Sequence, residues 1–123
     1  MKIFVFGNQL IAEDSSAISL IPLLTKFFPA IQFIPADPTE NWYQNEKELV
    51  IMDTVVGINK VTIFNSLGEF EKTSRITPHD YDLYFDLQLM IKVGNVKKVT
   101  IIGIPISQTK QILQQVVNVI SQL

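Results

Sequence analysis

Two acidic residues and one imidazole, far apart in the chain, are the groups on which chemistry could be built. Asp53 closes the run Glu48-Leu49-Val50-Ile51-Met52. The apolar part of that run is too short for a helix and suits a strand buried on both faces, as in the middle of a parallel sheet. A carboxylate beside such a strand is costly unless it is paired, hydrogen-bonded or exposed in a crevice. In open α/β sheets that crevice lies beyond the carboxyl ends of the strands. Asp14 follows Glu13 soon after a first β-rich run and its exit Gly7-Asn8. Taken alone, Asp14 reads as a helix N-terminal carboxylate, favoured by the positive end of the helix dipole. His79 is the single histidine, in a helix start that reads Thr77-Pro78-His79-Asp80. A lone histidine there is usually a surface residue that helps to cap the helix. The dipole nevertheless disfavours imidazolium and keeps the ring neutral, the state a metal needs. Gathered at one sheet edge, Asp14, Asp53 and His79 could bind a divalent metal of the zinc, nickel or cadmium kind.

Other chemistries fit less well. Gly7-Asn8-Gln9 is neither a dinucleotide fingerprint nor a phosphate loop. No serine sits on a glycine-flanked strand-to-helix elbow of the hydrolase kind. Glu13 and Asp14 are adjacent, and neighbours in a helix do not share a face, so they make a poor general-acid pair. Tyr81, Tyr84 and Phe85 read as core rather than as a stack for a flavin or nucleotide, and no organic cofactor is expected.

The elements that must position these groups follow from periodicity. Residues 2–6 read as a first strand. Asp14, Ser15 and Ser16 suit a helix start, and Ile18 to Phe28 supply a broad apolar face interrupted by Pro22, which should kink or split the helix. Residues 31–34 read as a second strand. A polar stretch with Trp42 and Tyr43 then leads to the central strand and Asp53. Only residues 54–59 separate Asp53 from a strand at 60–64, and a crossover to a parallel strand needs a dozen residues or more. The fourth strand should therefore run antiparallel to the third, and residues 66–76 read as a long polar segment carrying the chain back. Thr as N-cap, Pro at the first helical position and an acid at the third then start the helix of His79, which Gly94 should stop. Residues 98–104 read as a fifth strand. A last helix, opened by Ser107, carries Ile112, Leu113, Val116, Val117, Ile120 and Leu123 on one face. Right-handed crossovers place the first strand between the second and the third, with a strand-order switch, and so a ligand site, beside the first and third.

Composition bounds the partners. One domain, residues 1–123, is the natural unit for this length. With 47% hydrophobic and 18% charged residues the chain can build a core. A net charge of −2 and a single arginine argue against nucleic acid. The absence of cysteine removes disulfides, thiolate metal sites and a thiol nucleophile. A signal peptide would need a longer apolar run than residues 3–6, and the apolar region 17–36 is broken by Pro22, Lys26, Pro29 and Pro35, so no membrane insertion is expected. A soluble, cytoplasmic protein is the expectation.

Several short blocks, in order along the chain, resemble the nickel–iron hydrogenase maturation endopeptidases: Gly7-Asn8-x-Leu10-x-x-Glu13-Asp14 after a first strand, a strand closing on Met52-Asp53, Thr77-Pro78-His79, and the late strand Ile101-Ile102-Gly103-Ile104-Pro105. The chain departs from the family pattern at Val5, where a glycine is usual, at Ser15-Ser16-Ala17, where glycines usually follow the acidic pair, and in a short loop before the last helix. None of these departures touches the three candidate ligands. The resemblance implies a three-layer α/β/α sandwich around a five-stranded, mostly parallel sheet in the order 2-1-3-5-4 with strand 4 antiparallel. It implies an endopeptidase that removes the C-terminal extension of a hydrogenase large-subunit precursor already loaded with nickel. Asp14, Asp53 and His79 would hold the nickel, which the precursor supplies. A non-catalytic relative that binds a metal or a nickel-containing subunit without cleaving it is the alternative.

Overall fold

The computed structural model describes residues 1–7, 16–37, 40, 42, 43, 45–73, 78–106 and 110–123, save the side chains of 73, 78–82 and 110. In chain order the elements are β1 (Lys2–Phe6), α1 (Ser16–Ser19), α2 (Ile21–Phe27), β2 (Gln32–Ala36), β3 (Glu48–Thr54), β4 (Thr62–Phe64), α3 (Leu67–Thr73), α4 (Pro78–Lys92), β5 (Lys98–Ile104) and α5 (Lys110–Ser121). The strands form one sheet in the order β2-β1-β3-β5-β4. β1 pairs parallel with β2 and β3, β3 pairs parallel with β5, and β4 runs antiparallel to β5. This is the expected architecture, reversed strand included.

Alternation along the strands divides the core into two layers. Phe4, Phe6, Leu49, Ile51 and Ile101 face α3 and α4, together with Phe64, Phe70, Leu83 and Leu87. Ile3, Val5, Met52, Ile102 and Ile104 face the other side and pack with Ala17, Leu24, Ile112, Val116 and Ile120 of α1, α2 and α5. β3 lies between β1 and β5, so its apolar run is covered on both faces, which explains why it does not alternate with polar residues.

Pro22 acts as the sequence suggests. The helix is split in two, and Pro22 sits in the first turn of α2, where a missing N–H costs nothing. α4 ends as a left-handed stop: Gly94 has φ +84°, and the N–H groups of Asn95 and Val96 both donate to Met90 O. Trp42, placed in a polar stretch, is buried and meets Phe4 and Phe6 edge to face, with centroids 5.3 and 4.8 Å away.

Three expectations are corrected. Residues 66–76 do not simply carry the chain back, because α3 forms within them and buries Leu67 and Phe70. Its start carries the signal Ser66-x-x-Glu69: Glu69 N–H donates to Ser66 Oγ, and Glu69 Oε2 accepts from Asn65 N–H. Phe85 is not core but half exposed. Leu123 lies beyond α5 and is exposed rather than on its buried face. The stretch expected to open α5, residues 107–109, lies outside the described residues. Among the described residues no helix is long and apolar enough to cross a membrane.

Candidate functional site

Asp53 is the penultimate residue of β3, in register with Gly103 of β5. Extending the β1–β3 register by one residue sets Phe6 beside it. Asp53 shares the face of Leu49 and Ile51, so it points toward α3 and α4. There it is buried, at 1% exposure. A void of about 10 Å³ adjoins it, lined by Leu67 and Phe70 of α3, Leu83, Tyr84 and Leu87 of α4, and Ile101 of β5. That is room for about one water molecule.

Gly103 makes this packing possible. A Cβ on it would come within 2.9 Å of Phe64 Cε2 and 3.1 Å of Ile58 Cδ1 and Val55 Cγ2. Space, not backbone conformation, is what requires glycine at this position.

Thr54, the next residue, faces the opposite layer. Its Oγ1 accepts a hydrogen bond from Ala17 N–H at 3.0 Å, and Ser16 Oγ donates to Ile106 O at 2.9 Å. The first turn of α1 is thereby pinned to the carboxyl ends of β3 and β5. Asp14 lies outside the described residues, two positions ahead of this anchor.

His79 occupies the first turn of α4; its side chain lies outside the described residues. The helix direction is set by its ends: its last turn leads through Gly94 into β5, and Lys98 at the start of β5 pairs with Glu48 at the start of β3. α4 therefore runs antiparallel to the central strands, and its first turn lies at the carboxyl end of the sheet, the end where β3 delivers Asp53. Among the described residues no three His, Cys, Asp or Glu side chains gather as a metal site, and two of the three candidate side chains are not among those residues.

Tyr84 was legible only as core. Its ring is buried, but Oη donates to Glu71 Oε2 at 2.8 Å and accepts from Gln88 Nε2 at 3.0 Å. The hydrogen bond to Glu71, then burial, then the carboxylate's charge hold its hydroxyl above the ordinary value of 10.0. The i, i+4 spacing of Tyr84 and Gln88 on a helix was the available signal; the partner on α3 was not.

Other hollows among the described residues are larger. One of about 430 Å³ lies at the ends of β1 and β2, lined by Gly7, Ile18, Ser19, Ile21, Pro22 and Pro35. Another, of about 770 Å³, opens at the opposite edge beside Lys2, Glu46, Lys47, Glu48 and Lys97. Its charges include a surface ion pair, Lys2 to Glu46 at 3.1 Å, of the kind worth at most about 1 kcal/mol. It is the larger cavity but sits at the amino ends of the strands, away from the edge where α/β sheets bind ligands, so Asp53 remains the better guide.

No family profile and no curated protein sequence matches the chain. Solved structures do. The NiFe hydrogenase maturation protease HybD from Thermococcus kodakarensis superposes with a TM-score of 0.70 at 18% identity, over 99% of this chain and 98% of that one. The hydrogenase maturating endopeptidase HybD from E. coli gives 0.65 at 20% identity, over 99% and 93%. An endopeptidase from Escherichia coli solved in solution gives 0.57 at 20% identity, over 85% and 74%. At these identities the likeness establishes the fold: this chain has the α/β fold of the HybD proteases from one end to the other.

Proposed function

We propose that this chain, built on the HybD fold along its whole length, is a hydrogenase maturation endopeptidase: it removes the C-terminal extension of a large-subunit precursor that carries nickel. The observation that carries this reading is the delivery of Asp53, by the central strand, to the sheet end where the first turn of α4 also lies. In this reading Asp14, Asp53 and His79 are the catalytic and nickel-holding side chains, and the nickel arrives with the precursor. The carboxylates would contribute charge and oxygen donors, and His79 an imidazole nitrogen. The metal, when bound, would polarise the scissile carbonyl toward attack by water, and one of the carboxylates would serve as base, which needs no serine or cysteine nucleophile.

The test is processing of a nickel-loaded precursor by purified protein. Asp53→Asn keeps the shape of the side chain and removes its charge, and should slow cleavage by about a hundredfold or more. Equal rates for the two proteins would exclude the assigned role. Precursor binding by the unaltered protein with no cleavage at all would instead identify a non-catalytic relative.

A further inference from the structure

A residue meant to meet a metal or a peptide is here covered at 1% exposure, and the cover is thin. On the inner side of α3 and α4 is the 10 Å³ void beside Asp53. On their outer side is an open groove of about 680 Å³, whose lining includes Leu67, Gly68, Tyr84, Phe85, Gln88 and Leu89. Leu67 and Tyr84 line both spaces. Among the described residues, one side chain from each helix, Leu67 and Tyr84, thus separates the void beside Asp53 from this groove.

What holds that wall is polar and near the surface. α3 has seven residues, and of these Leu67 and Phe70 supply its buried apolar contacts. The hydrogen bonds at its start, Asn65 to Glu69 and Glu69 to Ser66, are exposed. Tyr84 Oη to Glu71 Oε2 ties its later turn to α4, and Gln88 steadies the phenol from the other side. Short helices with few buried contacts and solvent-exposed bonds open at a lower free energy than the sheet beneath them. β3 and β5, by contrast, are paired along seven residues.

We propose that α3 is a lid over Asp53, latched by the Tyr84–Glu71 hydrogen bond, and that its opening joins the inner void to the α3–α4 groove and admits substrate to Asp53. Tyr84 is then a positioning residue that sets access, not one that touches the reacting atoms. The admission of substrate rests on Asp53 being a site residue, but the lid itself can be tested without any cleavage assay.

The chain has no cysteine, so Asp53→Cys introduces the one thiol that iodoacetamide can alkylate. Its alkylation should be slow, and adding Tyr84→Phe or Glu71→Ala should speed it about three- to tenfold, the effect of losing one such hydrogen bond. A thiol introduced by Met52→Cys, one residue earlier and equally buried in the other layer, should not respond to either second substitution. An unchanged rate at position 53, or equal acceleration at both positions, would overturn the lid. Hydrogen exchange on Tyr84→Phe alone probes the same opening without a cysteine. The Phe70 amide, bonded to Ser66 O, should lose protection while the Val55 amide, bonded to Ile104 O, keeps it. Loss at both or at neither refutes the lid. A failed processing assay would leave these results standing, and a failed labelling result would leave the role of Asp53 untouched.

Discussion

Asp53 and Thr54 are consecutive residues on one strand, yet they sit in different kinds of environment. Thr54 faces α1 and is held by a backbone donor, Ala17 N–H, at 3.0 Å. The start of α1 is fixed again through Ser16 to Ile106 O. That layer is closed by hydrogen bonds at the strand ends and by the long apolar face of α5. Asp53 faces α3 and α4, where close packing, a small void and one phenol–carboxylate bond make the cover. The contrast teaches where motion can be afforded. One face is anchored to the carboxyl ends of β3 and β5; the other is covered by α4 and by the seven-residue α3, which in the proposed lid lifts without unpairing the sheet.

Three substitutions sharpen or break this contrast. The largest effect is expected at Gly103→Val, on the Asp53 side, where the added atoms meet Phe64, Ile58 and Val55 at contact distance or closer. It should cost about 3 kcal/mol in urea unfolding, and a neutral result would mean that the packing of β4 and residues 55–58 over β5 is looser than described. Next is Thr54→Val, which keeps the side-chain shape but removes the acceptor for Ala17 N–H. A loss of about 1–2 kcal/mol is expected; no loss would mean that this hydrogen bond does not anchor α1 to the end of β3. The smallest effect is the pH dependence of Tyr84. Its hydroxyl titrates above 10.0 in the folded chain, so the folded state holds the proton that the unfolded state gives up first. The associated stability is complete below pH 10 and is lost as pH rises through the folded value. Tyr84→Phe should flatten this alkaline decline in unfolding measured on either side of about pH 10. A decline of unchanged slope would show that the latch contributes nothing at the α3–α4 interface.

Much of the site's frame was legible from residue types. The run ending at Asp53 announced a central strand, and the short connection at residues 54–59 required the reversed strand. The chain direction then forced the first turn of the His79 helix to the same sheet end as Asp53. α3 was not legible as a helix because its composition is polar and its buried contribution is two residues, Leu67 and Phe70; the capping pattern Ser66-x-x-Glu69 was its one sign. Phe85 misled because hydrophobic spacing assigns a residue to a face but not to an occupant of that face. Asp14 and the side chain of His79 lie outside the described residues.

The order of elements, their directions and the edge at which the acid and the helix start meet are set by local rules: strand length, loop length, capping and the handedness of crossovers. Each acts over a few neighbouring residues or through chain connectivity, and each can be read without coordinates. The depth of Asp53, the need for glycine at position 103 and the bond between Tyr84 and Glu71 belong to tertiary structure alone. They depend on which side chains from β4, β5, α3 and α4 come to share a few ångströms of space, and no spacing along the chain records that.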